Sequence, residues 1–197
     1  IAVLTGGAVI GGEIFLSGCK TGAKADAGFT STNIALLDEI GETIIPATAT
    51  PVNKAAQIGE FMKVMVTDCY TQDQQDAFMK GIATIDEVSK KTNGKTFMDS
   101  TPDQRHELLV SLEKEAKEFN KIQEEADKPR KEELKKQDKE YDFVASPRHY
   151  YTMMKQLTLL GFFTSKTGMT ETLRHVPVPG KYDGAFPYAK GDKAWAE

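Results

Sequence analysis

The side chains best suited to acid–base, nucleophilic or metal chemistry are few: three histidines, His106, His149 and His175, and two cysteines, Cys19 and Cys69. The histidines lie in separate segments. None has a second ligand at His-x-x-x-His, Glu-x-x-His or Cys-x-x-Cys spacing, the arrangements that bring donors onto one helix face or turn around a divalent metal. Surface or packing roles are therefore expected for all three. Gly6-Gly7 and Gly11-Gly12 lie in an apolar leader-like stretch rather than between a strand and a helix, and Gly180-Lys181 lacks the rest of a phosphate loop, so no nucleotide loop is read. No Ser-His-Asp or Cys-His arrangement is suggested. The residues thus offer no catalytic group and no metal site, and the expectation is a chain that works by contact.

The two cysteines are too few for a disulfide scaffold. Cys19 ends the run Leu16-Ser17-Gly18-Cys19, which follows a nearly uncharged stretch of Gly, Ala, Val, Ile and Leu broken only by Glu13. That stretch has the length of a signal-peptide core and falls short of the roughly 20 apolar residues of a membrane-spanning helix. The four residues resemble a lipobox, in which small side chains admit the peptidase and the thiol accepts a diacylglycerol. Residues 1–19 are accordingly expected to be an export signal with Cys19 as the lipidation site, and each methylene of the lipid buried in a bilayer would contribute about 0.8 kcal/mol. An initiator Met and a basic n-region, and with them a twin-arginine pair, would be expected ahead of Ile1. The alternative is a core helix ending in a buried thiol, but residues 20–32, rich in Gly, Ala, Lys, Ser and Thr without apolar periodicity, read as a tether. Cys69 ends an apolar helical face, which suits a buried small side chain. The alternative is an odd thiol bridging to a partner in an oxidising compartment.

These groups need a frame, and 197 residues with 40% hydrophobic and 27% charged composition suit one domain around one core. A net charge of −4 and alternation of Lys and Arg with Glu and Asp over residues 128–139 give no basic surface for nucleic acid. Apolar residues recur at helical spacing from Asn33: Ile34, Leu37, Ile40, Gly41 and Ile44, with Ser31, Thr32 or Asn33 as N-cap and Pro46 as stop. A second helix is expected over 54–70 with Ile58, Phe61, Met62, Met65, Val66 and Cys69 on one face. A third follows over 72–90 behind Thr71, with Phe78, Ile82 and Ile85 inward and Asn93-Gly94 as its end. Thr101-Pro102 opens a fourth with a buried stripe of Leu108, Leu112, Ala116, Phe119 and Ile122. Pro129 interrupts it, leaving 128–139 as an exposed helix or a loop. Ser146-Pro147 signals the start of the most apolar helix, from Tyr150 to Phe163, which must be covered on more than one side.

The fold class expected is all-α: a small helical bundle with an N-terminal signal or anchor segment and an extended C-terminal arm. Its divisions are residues 1–19, tether 20–32, helical domain 33–175 and arm 176–197. The arm spaces Pro177, Pro179, Gly180, Gly184, Pro187 and Gly191 among Val176, Val178, Tyr182, Phe186, Tyr188 and Trp195, too many breakers for a helix. Aromatic groups anchor interfaces, so the arm is expected to lie on its own body or on a partner. Phe162, Phe163, Tyr182, Phe186, Tyr188 and Trp195 are the expected partner-binding residues.

Four stretches then carry a family likeness: Leu36-Leu37-Asp38-Glu39-Ile40-Gly41-Glu42-Thr43-Ile44-Ile45-Pro46, Val66-Thr67-Asp68-Cys69-Tyr70, Leu157-Thr158-Leu159-Leu160-Gly161-Phe162-Phe163-Thr164, and Pro177-Val178-Pro179-Gly180-Lys181-Tyr182-Asp183-Gly184. In this order they resemble the gluconate 2-dehydrogenase subunit 3 family. The resemblance implies a non-catalytic accessory subunit that escorts or anchors a large flavoprotein of the glucose-methanol-choline (GMC) type, which oxidises sugars or polyols and often passes electrons to a cytochrome c subunit. FAD would then belong to the partner, with a lipid on Cys19 as the only group carried here. The location implied is the periplasmic side of a bacterial envelope. The lipobox and the charged 128–139 stretch depart from the simplest family pattern and suggest anchoring besides escort. The alternative is a lipoprotein serving as a structural or assembly component of another envelope complex.

Overall fold

The computed structural model describes residues 28–46, 56–178, 180 and 183–196; Cys19, Tyr182 and residues 1–19 of the expected export signal lie outside them. Helix α1 spans Ser31–Ile44 and starts one residue before the expected caps, because the Thr30 hydroxyl accepts from Asn33 N at 3.2 Å. Phe29 is already buried in the core beside Phe78, so the expected tether does not reach residue 32. Helix α2 spans Ile58–Cys69. Its N-terminus has no cap of its own, and Asp38 on α1 supplies one by accepting from Gly59 N at 2.7 Å. A carboxylate there also meets the positive end of the helix dipole.

Helix α3, Gln72–Asn93, begins where Gln74 Oε1 accepts from Thr71 N at 3.0 Å and ends on Gly94 in the left-handed region at φ 71°, a conformation that favours glycine. The connection to the next helix turns inward: Phe97 is fully buried, its N–H donates to Asp86 Oδ1 at 2.9 Å, and Arg105 Nε donates to its carbonyl at 2.9 Å. Arg105 also pairs with Glu39 of α1.

Helix α4 runs over Pro102–Lys136, capped by Thr101 with Gln104 reciprocating. At 1.5 Å per residue it is about 52 Å long. Leu108, Leu109, Leu112 and Ala116 are buried, but Phe119 and Ile122, expected on the same stripe, are exposed, although the Phe119 ring still meets His149 edge-on at 5.4 Å. Pro129 does not break the helix. The carbonyl it frees lies on an exposed stretch where water can reach it, and the returning chain clamps α4 on both sides of the proline. Asp127 accepts from Ser146 N at 2.7 Å and Ser146 Oγ at 2.8 Å, and Arg130 donates to Val144 O at 2.6 Å while lying over the Phe143 ring. Ser146 thus serves α4 rather than capping the next helix.

That helix, α5, spans Tyr150–Thr164 and is capped by His149, whose Nδ1 accepts from Tyr151 N at 3.3 Å. Asn120 of α4 joins the two helices, accepting from His149 N and donating to Thr152, both at 2.8 Å. Helix α5 packs against all of α1 to α4, the central position its apolar content requires. Two glycines allow the close approach. A Cβ on Gly81 would lie 2.2 Å from Tyr150 Cβ, and one on Gly161 would lie 2.6 Å from the Phe61 ring. Among the described residues there is no strand, only an isolated parallel bridge between Arg174 and Trp195, and no helix is long and apolar enough to cross a membrane.

Candidate partner-binding surface

The core takes Tyr151, Met153, Met154, Leu157, Thr158, Gly161 and Phe162 from α5. The opposite side carries Gln156, Leu159, Leu160, Phe163 and Thr164, all exposed, spaced as one continuous stripe along the helix. Leu159 is 38% exposed, Leu160 46% and Phe163 39%. Phe163 meets the buried Phe162 edge-on at 5.2 Å, so an anchored ring sets its orientation. The expectation that both phenylalanines face a partner is corrected for Phe162. At 2% exposure it is a core residue, since it stands one turn beyond the buried Thr158 and next to the buried Gly161 on the inward face of the helix.

Beyond α5, the Ser165 hydroxyl accepts from Gly168 N at 3.0 Å, a wide turn covers Gly168–Thr172, and the arm begins. Every described residue from 183 to 195 is exposed, so these residues do not bury their aromatic groups against the helical body. They fold upon the root of the arm instead. Arg174 N donates to Ala194 O at 2.7 Å and Ala196 N donates to Arg174 O at 3.0 Å. The Arg174 guanidinium lies 4.8 Å from the Trp195 ring centre and 5.4 Å from that of Phe186, and the two rings meet edge-on at 5.6 Å. Tyr188 and Val178 stand out, at 79% and 80% exposure. Phe163, Phe186, Tyr188 and Trp195 are thus all on the surface. The arm's reliance on Arg174 was not legible in the sequence, because the contact joins a residue just after the helical region to one near the end of the chain.

The titratable groups are tied into the frame. Lys155 of α5 donates to Glu113 of α4 at 2.7 Å beside His106 and Tyr151, around a depression of about 180 Å³. The hydrogen bond from Lys155 holds Glu113 below the usual carboxylate range, while burial, with the Glu113 charge adding to it, pushes the Tyr151 hydroxyl up to about 12. A carboxylate and an ammonium locked to each other and a phenol that keeps its proton form a strut between helices. Burial lowers the His149 pKa against the opposing pull of Glu115, 3.8 Å from its Nε2. The neutral ring suits its cap, because an accepting Nδ1 places the proton on Nε2. His106 and His175 are exposed. Among the described residues no group of three or more His, Cys, Asp or Glu side chains could hold a metal. Cys69, for which a buried packing role was one expectation, is exposed instead; it is the last residue of α2, where the helix leaves the core.

A larger groove of about 390 Å³ lies between α4 and residues 143–148, walled by Gln123, Glu124, Lys128, Lys131, Phe143 and Arg148. Its carboxylate Asp127 is held below the usual range by the Ser146 N–H first, then by the Ser146 hydroxyl and Arg130. That group serves the α4 clamp.

No curated protein and no solved structure matches the chain. The family model described as Gluconate 2-dehydrogenase subunit 3 matches residues 31–180, a span that runs from the first turn of α1 through α5 into the start of the arm. With all four of the quoted sequence stretches beginning inside that span, the chain belongs to the gluconate 2-dehydrogenase subunit 3 family.

Proposed function

We propose that this protein is a non-catalytic accessory subunit that escorts and anchors a GMC-type, FAD-containing sugar or alcohol dehydrogenase at the periplasmic face of a bacterial envelope. Membership of a family of dehydrogenase subunits supports association with other subunits. The observation that carries the reading is the outer face of α5, where Leu159, Leu160 and Phe163 stay exposed on the helix that the bundle otherwise covers from four directions. Exposed apolar stripes of this kind are used for partner contact, and the exposed Phe186, Tyr188 and Trp195 of the arm add aromatic groups of the type that anchor interfaces.

In this reading FAD is bound by the large subunit, a cytochrome c subunit takes its electrons, and this chain carries only the lipid on Cys19. Cys69, exposed at the end of α2, is available for an inter-subunit disulfide in an oxidising compartment. Purification of the native protein from detergent-solubilised membranes, followed by mass spectrometry of its N-terminus and companions, tests the proposal. The expected result is a diacylated Cys19 and a co-purifying flavoprotein with bound FAD. A companion set drawn wholly from another envelope machine would overturn it.

A further inference from the structure

We infer that Arg174 is the positioning residue that latches the C-terminal arm into a preformed loop, so that its apolar tips are presented to a partner already ordered. Three kinds of contact converge on this one residue. Its backbone exchanges two hydrogen bonds with the far end of the arm, at Ala194 and Ala196. Its guanidinium faces both Trp195 and Phe186, and its Nη2 is 4.0 Å from Asp192 Oδ1. Asp192 in turn accepts from Ala189 N at 2.9 Å, and Lys193 Nζ donates to Glu171 O at the root of the arm. A second turn is set by Asp183, whose Oδ1 accepts from Ala185 N at 3.0 Å.

A segment with this many prolines and glycines has little helix or strand to lose its freedom to, and an unlatched arm would carry the whole ordering cost into binding. The planar guanidinium is suited to the latch because it can meet two aromatic faces while keeping an edge for the carboxylate; a lysine ammonium offers charge without the plane. The link to docking rests on the reading above that the arm meets the partner subunit, whereas the latch itself is a property of the free chain.

Trp195 is the only tryptophan, so its indole reports the latch without labelling. In the full chain, Arg174→Ala is expected to move the population of open arm about tenfold, the combined effect of losing two cation–π contacts at an exposed site. The single indole cross-peak in a proton–nitrogen spectrum then moves towards its random-coil position and acrylamide quenching rises, with far-UV helicity unchanged. Arg174→Lys falls between wild type and Ala, and Phe186→Ala reproduces the opening from the other side. An indole signal and quenching identical to wild type in both Ala variants overturns the latch. Retention of the flavoprotein co-purified from native cells should fall about tenfold with Arg174→Ala. If the arm opens and retention is unchanged, the coupling of latch to docking is refuted while the accessory role stands. If deletion of residues 183–197 also leaves retention unchanged, the arm is excluded from the interface.

Discussion

Replacing Leu159, Leu160 and Phe163 together by Gln should detach the partner subunit. The three are 38%, 46% and 39% exposed, so about two-fifths of each side chain is left for a partner to cover. Full burial of such a side chain contributes about 1.5–3 kcal/mol, so the uncovered portions together hold about 2–3.5 kcal/mol, or about 30- to 300-fold in Kd. Gln has a helix propensity close to that of Leu, so α5 should form. The portions already buried are lost too, and the transition temperature will fall. A control is therefore needed, and Met98, Val110 and Ile122, exposed at 42%, 41% and 68% and outside the α5 stripe, supply one when changed to Gln. The assay is retention of the proposed flavoprotein partner on each purified variant, well below its melting temperature. Loss with the α5 variant and retention with the control is the expected outcome. Equal retention by both would refute the argument that this stripe is the contact, and equal loss would trace the effect to stability.

Other consequences are local. Burial lowers the His149 pKa, so the unfolded chain takes up a proton more readily than the folded one. Stability is therefore complete above the unfolded value of about 6.5 and is lost as pH falls below it, until the folded ring is protonated as well. The urea midpoint should drop between pH 7.5 and 5.5, and His149→Asn, which keeps an N-cap, should flatten that slope. Gly81→Ala puts a Cβ 2.2 Å from Tyr150 Cβ, an atom rooted in the backbone that cannot swing aside. A cost of about 1–3 kcal/mol and a fall of about 2–12 °C in Tm are expected by calorimetry. Asp38→Ala orphans Gly59 N–H at the start of α2 and should cost about 1 kcal/mol in denaturant unfolding, with Asn restoring most of it.

The helices were largely legible because their signals are local. Thr71, Thr101-Pro102 and Asn93-Gly94 set helix ends through hydrogen bonds and backbone angles that involve only neighbouring residues. Spacing alone placed Leu37, Ile40, Ile58, Met62, Val66, Phe78, Ile82 and Ile85 inward, but it missed Leu36 and put the exposed Cys69 on the buried face. Where reading failed, a distant residue had intervened. Pro129 stays helical because Ser146 and Val144 hold α4 on either side of it. Helix α2 starts on a cap from Asp38, 21 residues earlier, and Phe97 is buried although no periodic pattern surrounds it.

For the candidate surface, the apolar content of α5 showed that it needs covering on several sides, and the family likeness of the same residues pointed to a subunit of a larger complex. Which residues the bundle covers was decided by packing. Phe162 went inward and Phe163 outward, and Phe119 and Ile122 kept the helical period of the core stripe yet stayed exposed. The latch at Arg174 was likewise invisible, because nothing in residue spacing reveals that a chain will return on itself. Periodicity reports which residues share a face. Only the arrangement of whole helices in space decides whether that face meets protein or water.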